Sequence, residues 1–304
     1  MMRGLKLTAL FLGFGGLGVG GGWAMGLFAG EAPWGGSPPD IRVSATSDDP
    51  VEVDVDVSVL GRSGRCAYEA ERRVALDASA GEWLRLSAGS GELSVQGRAG
   101  LTRVQAVARA CASDEEALQE LTLTLERGDR DVVLSAHYPD RRGWDNDYAR
   151  LDMVVEVPLH MAVDIDDSSG SMEVGGTGET RIEDSSGSIL VREIEGPLWI
   201  DDSSGEIDVK GVSGDVEIED GSGEVDVANV GGTVHVRDGS GSISVYQVEG
   251  DVIVDSDGSG SISVRDVRGD FRVGRDGSGG IRYSGIAGQV DIPRDKRDRT
   301  RGGR

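Results

Sequence analysis

A chain of 304 residues has room for one long domain or two ordinary ones. Its net charge of −23 argues against a nucleic-acid partner, whose phosphates need clustered Lys and Arg. Forty-eight glycines suggest low complexity at first, but they fall at regular intervals and read as corners.

The chain opens with an export pattern. Arg3 and Lys6 precede an uncharged, largely apolar run from Leu7 to Ala29. Cleavage after Ala24 fits the small-residue rule, with Gly22 two residues earlier. The run is also long enough to span a bilayer, and Gly18, Gly22 and Gly26 at spacing four suit a packed membrane helix. Residues 1–29 are therefore a cleaved signal or a retained anchor, with membrane association through residues 7–29 in the second case. Both place the remainder outside the cytoplasm, in the periplasm, at the cell surface or secreted. No cysteine follows the run, which argues against a lipoprotein anchor. The two cysteines, Cys66 and Cys111, can form one disulfide in an exported chain and would be two thiols in the cytosol.

Residues 30–40 are a Pro/Gly linker. Residues 41–160 read as an N-terminal β-rich cap. Val51 to Val59 alternates strictly between valine and polar residues, the pattern of a half-buried strand. Gly61 to Gly64 supplies a turn, and Cys66 to Leu76 is again extended. Trp83 to Val95 resembles an early coil of the repeat that follows, with Ala88 where later coils carry Asp. Leu101 to Ala110 reads as a strand ending at Cys111. Ser113 as N-cap and Glu116 at N3 form a capping box for a short helix through Glu120. Thr122–Leu125 and Val132–His137 flank Arg127-Gly128-Asp129 and read as a hairpin. Asp140 to Asp147 is loop-like, and Leu151 to Ile165 is extended and runs into the first repeat.

From 161 to 292 one phrase, Asp-x-Ser-Gly, recurs seven times. Its glycines are Gly170, Gly187, Gly205, Gly223, Gly241, Gly260 and Gly279, at intervals of 17, 18, 18, 18, 19 and 19 residues. Two and four residues after each glycine comes an apolar side chain, as in Ile207 and Val209. From the second repeat on, apolar positions follow at seven, eleven and thirteen, with glycine at nine. Each repeat is two short alternating strands bounded by corners, and the extra residue of the longer coils falls just before the Asp. This predicts an all-β fold, a parallel β-solenoid (β-helix) of about 18-residue coils. An antiparallel sandwich would not need the same corner residues at the same phase seven times. Residues 293–304 are a basic tail expected to be disordered.

Stacking places Asp167, Asp184, Asp202, Asp220, Asp238, Asp257 and Asp276 in one column. The first reading is that each carboxylate caps its own corner as an Asx-turn. The second is a row of Ca²⁺ ions, for which these seven are the only metal candidates. The calcium-binding nonapeptide pattern of β-helices is absent, so no metal or cofactor is assigned. His137, His160 and His235 have no metal-ligand spacing. There is no Gly-x-Ser-x-Gly elbow, Walker loop or His-Glu-x-x-His, so no catalytic residue is assigned. Asp208, Asp226, Glu206 and Glu224 point outward by phase and form an acidic patch. Trp199 also points outward, an unusual place for Trp, and suits contact with a sugar or a protein.

The Ser-Gly-[Ser/Glu/Asp]-Ile-x-Val and Gly-Asp-Val-x-[Ile/Val] arrays resemble the bacterial domain-of-unknown-function family labelled "putative adhesin". The Asp-Glu-Glu-Ala-Leu segment, the Arg127–Leu134 hairpin and the Val154–Ile165 lead-in fit it too. The resemblance spans roughly residues 80–292. It implies an envelope or surface β-solenoid and brings no catalytic residues. The segments around Cys66 and Cys111 look like a subgroup feature consistent with a Cys66–Cys111 disulfide. The function expected is a non-enzymatic envelope protein with a binding or scaffold role through its solenoid faces. Its partner would be an envelope or surface polysaccharide or protein, and Trp199, Asp208 and Asp226 are the candidate partner-binding residues. The alternatives are a carbohydrate-active β-helix enzyme using Asp208 and Asp226, and a structural envelope-stress component.

Overall fold

The computed structural model describes residues 66–139 and 148–293. The apolar run Leu7–Ala29, the linker 30–40, the alternating Val51–Val59 stretch, the polar loop 140–147 and the tail from Arg294 lie outside the described residues.

The N-terminal part comprises β1 (Tyr68–Asp77), β2 (Trp83–Ser87), β3 (Leu93–Arg98), β4 (Arg103–Ala112), helix α1 (Glu115–Glu120), β5 (Thr122–Arg127), β6 (Asp131–His137) and β7 (Ala149–Pro158). The repeats give one pair of strands each: β8 (Ala162–Asp167) with β9 (Gly170–Gly175), β10 (Thr180–Asp184) with β11 (Gly187–Ile194), and β12 (Leu198–Asp202) with β13 (Gly205–Val212). Then come β14 (Val216–Asp220) with β15 (Gly223–Val230), and β16 (Val234–Asp238) with β17 (Gly241–Val248). In the last coils the strands run on through the corner as β18 (Val252–Val267) and β19 (Phe271–Ile286), followed by β20 (Val290–Asp291).

Strands pair with their equivalents one coil away, not with their sequence neighbours. One parallel ladder runs β8–β10–β12–β14–β16 and the other β9–β11–β13–β15–β17. This is the predicted parallel β-solenoid. Because the register holds residue for residue up to a shift after Val236, the alternating apolar residues stack in files: Ile165, Ile182, Ile200, Ile218, Val236 and Val254 on one side, and Met172, Ile189, Ile207, Val225, Ile243 and Ile262 on the other. All of them are buried. One coil buries too little apolar surface to offset its own ordering, so the coils are stable only as a stack.

The repeat glycine is fixed by contact as well as by conformation. At Gly205 the backbone has φ +154°, and a Cβ there would lie 1.5 Å from the carbonyl oxygen of Gly187. Six residues further on, each coil turns through the left-handed region. Glycine fills that place at Gly176, Gly211 and Gly285, but Glu193, Asn229, Gln247 and Asp266 adopt it with φ of 55–60°.

The order of coils in space differs from their order in sequence. β2 and β3 pair in parallel with β8 and β9, with Leu93 on Met172 and Val95 on Val174. On the far side of that coil lie β6 and β7, again parallel, with Leu86 on Leu134 and Val95 on Val155. The segment from Arg103 to Pro158 therefore leaves the stack, turns back and supplies the coil beyond. Leu151–Ile165 is accordingly not one stretch entering the first repeat. It breaks after Pro158, and β7 lies two coils from β8, with His160 at φ 63° in the connection. β5 and β4 pair antiparallel with β6 and β7, and β1 pairs antiparallel with β4. Strands running the other way stop the parallel stacking at this end.

The β5–β6 hairpin turns at Arg127–Asp131 as expected. Helix α1 forms one residue later than the capping box implied. Asp114, not Ser113, is the N-cap, and its Oδ1 accepts from the amide of Ala117 at 2.8 Å. Asp outcompetes Ser here because its carboxylate reaches the N3 amide and carries charge suited to the helix N-terminus. Cys66 and Cys111 form a disulfide, with Cα atoms 5.5 Å apart, tying the segment before β1 to β4.

Candidate functional site

The corner aspartates form the column that the period requires. Register places Asp167, Asp184, Asp202, Asp220, Asp238, Asp257 and Asp276 on successive coils, and all but Asp276 are buried. Oδ1 accepts the amide of the serine two residues on: Ser186 to Asp184 at 3.2 Å, Ser204 to Asp202 at 3.1 Å, Ser222 to Asp220 at 3.0 Å and Ser240 to Asp238 at 2.9 Å. These are Asx-turns, repeated once per coil. In the same four residues Oδ2 is buried and accepts no hydrogen bond from the described residues. Burial pushes Asp202 and Asp238 up to about 6, with the charges of neighbouring column members adding to it. Asp167, at the end next to Ala88, is pushed by burial to about 7, and Asp184 and Asp220 are raised for the same reason. Among the described residues no group of three or more His, Cys, Asp or Glu side chains is placed to hold a metal. The geometry is that of a corner element.

Trp199 stands elsewhere. It lies on the outer face of β12, half-buried, in a groove of about 280 Å³ that crosses four coils. The ladder sets its neighbours: Arg181 on one side, then Glu217 and His235 on the other, each one coil further on. Pro197 and Asp215 come from the corner that leads into the same strands. The Arg181 side chain is held on both sides. Its Nη2 donates to Glu179 Oε1 at 2.8 Å, and its guanidinium lies 5.0 Å from the centre of the Trp83 ring. Asp215 Oδ1 accepts the amide of Thr233 at 2.7 Å, which fixes that corner.

The first 19-residue coil adds a further piece. Its extra residue is Asp255, placed where the register between β16 and β18 shifts after Val236. There its Oδ2 lies 2.8 Å from His235 Nε2 and accepts from Arg237 Nε at 3.0 Å. Arg237 also pairs with Glu219. The inserted carboxylate thus anchors the far end of the groove. The sequence puts this extra residue in a corner, singles out neither Arg181 nor Glu217, and weighs His235 only as a metal ligand. The period itself carries the signal, since residues 18 before, 18 after and 36 after Trp199 must be its ladder neighbours.

The three sequence-predicted partner-binding residues do not converge. Asp208 and Asp226 are adjacent in register on the other ladder, on β13 and β15, across the corner from the Trp199 face. Asp208 Oδ2 accepts from Lys210 Nζ at 2.7 Å, and Glu206 and Glu224 beside them are exposed. The three histidines lie apart as well. His137 is on β6 against Thr124, His160 pairs with Glu195 at a corner, and His235 is on β16. Among the described residues no helix is long and apolar enough to cross a membrane.

Several solved structures resemble the chain at low identity. A Bacteroides fragilis protein described as a "putative adhesin" is 14% identical, covers 73% of this chain and 97% of its own, and superposes with a TM-score of 0.42. A Parabacteroides distasonis protein described as a "putative lipid binding protein" is 15% identical over 74% and 97%, with a TM-score of 0.38. A Clostridium sporogenes protein described as a "putative cell adhesion protein" is 15% identical over 74% and 98%, with a TM-score of 0.28. No curated protein matches the chain. Residues 113–302, more than half of the chain, match the family described as Toastrack DUF4097, and the chain belongs to that family.

Proposed function

We propose that this is an exported, non-enzymatic binding protein of the cell envelope, adhesin-like in role, whose docking surface is the Trp199 face of the solenoid. In this reading residues 1–29 deliver the chain across the membrane, 41–160 close one end of the rod and 161–292 present the face. The observation that carries it is the half-buried Trp199 in an outer file that is otherwise polar from Asp164 to His235, flanked in register by Arg181 and Glu217. The file of side chains facing inward already has its core, so nothing in the packing of the coil calls for an indole on the outside. Placed there, an aromatic ring supplies contact area and its flanking charges supply orientation.

Retention of the full chain on isolated envelope material tests this. Wild type should be retained, and Trp199→Ala should lose most of that retention with its thermal unfolding unchanged. Equal retention of both would refute the Trp199 face. The carbohydrate-active alternative draws support from Glu179, Asp215 and Glu217 sharing the groove with Trp199. Release of new reducing ends from envelope polysaccharide by wild type, and not by Glu217→Gln, would replace the binding role by that one. A purely structural component would show neither retention nor turnover.

A further inference from the structure

The Trp199 groove has chemistry specific enough to indicate what it takes, given that this face is the docking surface. Trp199 lies at its centre. Its two sides, one coil away in each direction, are a guanidinium and a carboxylate, spaced by the roughly 4.8 Å of neighbouring strands. Arg181 is engaged by Glu179 and Trp83, and His235 sits beside Asp255, so the polar groups already have partners that orient them toward the groove's edges. At about 280 Å³ the groove is just below the usual range for a drug-sized ligand and accepts one ring-sized unit. Its lining comes from four successive coils, Glu179 to His235, so a chain can lie along it while one unit sits on the indole.

Charge narrows the class. Glu179, Asp215 and Glu217 outnumber Arg181 in the groove, and Arg181 is already paired with Glu179. The adjacent outward file, Glu183, Asp201 and Glu219, is acidic up to Arg237, on a chain of net charge −23. A polyanion, whether acidic polysaccharide or nucleic acid, would be repelled. A sugar ring, with an apolar face to stack on Trp and equatorial hydroxyls for Arg181 and Glu217, fits what remains. An amino substituent gains further from Glu217 and from the indole π face.

We infer that the Trp199 groove binds a polysaccharide of neutral or amino-bearing sugars, one ring stacked on Trp199 between Arg181 and Glu217 and the chain running along the solenoid axis. Three probes test it by calorimetry on the full chain at low salt: the hexamer of N-acetylglucosamine, its fully deacetylated glucosamine hexamer, and an oligogalacturonate of equal length. The two glucosamine-based hexamers should bind saturably and the oligogalacturonate should not. Trp199→Ala should weaken both at least tenfold, with Trp199→Phe intermediate. Glu217→Gln should weaken the deacetylated hexamer several-fold more than the acetylated one and should remove its salt dependence. If Trp199→Ala loses envelope retention while neither hexamer binds, the ligand class is wrong and the docking face stands. If the hexamers bind equally well to Trp199→Ala, or the oligogalacturonate binds best, the inference is overturned. If retention and hexamer binding are both absent, the face and its ligand fall together.

Discussion

Replacing Asp202 by Asn should make this protein more stable, and only above a certain pH. Asp202 is 2% exposed, and its Oδ1 accepts the Ser204 amide, while Oδ2 is buried without a hydrogen bond from the described residues. Asp184 and Asp220 flank it in register. Burial, reinforced by those two charges, pushes its carboxyl from 3.8 to about 6. That is roughly a hundredfold loss of acidity. At about 1.4 kcal/mol per factor of ten, the ionised form destabilises the fold by about 3 kcal/mol. Since the folded pKa lies above the unfolded one, this residue's contribution is fully present below about 3.8 and is lost as pH rises through about 6. Asn keeps the Oδ1 acceptor for Ser204 and cannot ionise. Urea unfolding should therefore find Asp202→Asn more stable than wild type by about 2–3 kcal/mol at pH 8 and within about 0.5 kcal/mol of it near pH 3.8. Wild type itself should gain stability between pH 8 and pH 5, because Asp167, Asp184, Asp220 and Asp238 are shifted in the same direction. An Asn variant destabilised equally at both pH values would refute the reasoning, since it would mean that the carboxylate is ionised and held by a partner.

Three further outcomes follow from the coil geometry. Gly205→Ala should destabilise by more than about 4 kcal/mol or prevent folding, because its Cβ would overlap the Gly187 carbonyl. Circular dichroism melts will show this, and a loss below about 1 kcal/mol would contradict the stacking distance. Gln247→Gly should stabilise by about 1 kcal/mol, since an L-residue there holds φ 60° at a cost that glycine avoids. The same change at Glu193, the equivalent position three coils earlier, should behave alike, and a loss of stability at both would refute the left-handed corner. Removing the disulfide in a Cys66→Ser, Cys111→Ser double variant should cost about 4 kcal/mol by loop closure across 45 residues. Reductant should reproduce that in wild type and leave the double variant unchanged.

The solenoid was legible because its information is periodic. Once Gly170 to Gly279 are aligned, the phase of Ile207 or Val236 decides which way each side chain points, and the buried files follow. The same alignment predicted the aspartate column, and the Asx-turn was legible with it because the bond lies within each corner. What sequence missed is non-periodic or long-range. β6 and β7 carry no Asp-x-Ser-Gly phrase, so nothing in their sequence says that they stack beyond β3 rather than before β8. The helix cap moved by one residue because Ser113 and Asp114 are both good caps and only the path of the chain chooses between them. Asp208 and Asp226 looked like partners of Trp199 by exposure alone. Exposure does not tell one face of a coil from the next, and a corner separates them. The role of Asp255 was hidden because it depends on His235 and Arg237, one coil back in space and about twenty positions back in sequence.

The docking claim separates most directly by face. Trp199→Ala alters one ladder, and the double variant Asp208→Asn, Asp226→Asn alters the other, with both changes on the outside of the solenoid. Retention of the full chain on envelope polysaccharide should be lost in the first and kept in the second. Loss in the aspartate variant, with retention intact in Trp199→Ala, would place recognition on the opposite face and contradict the account.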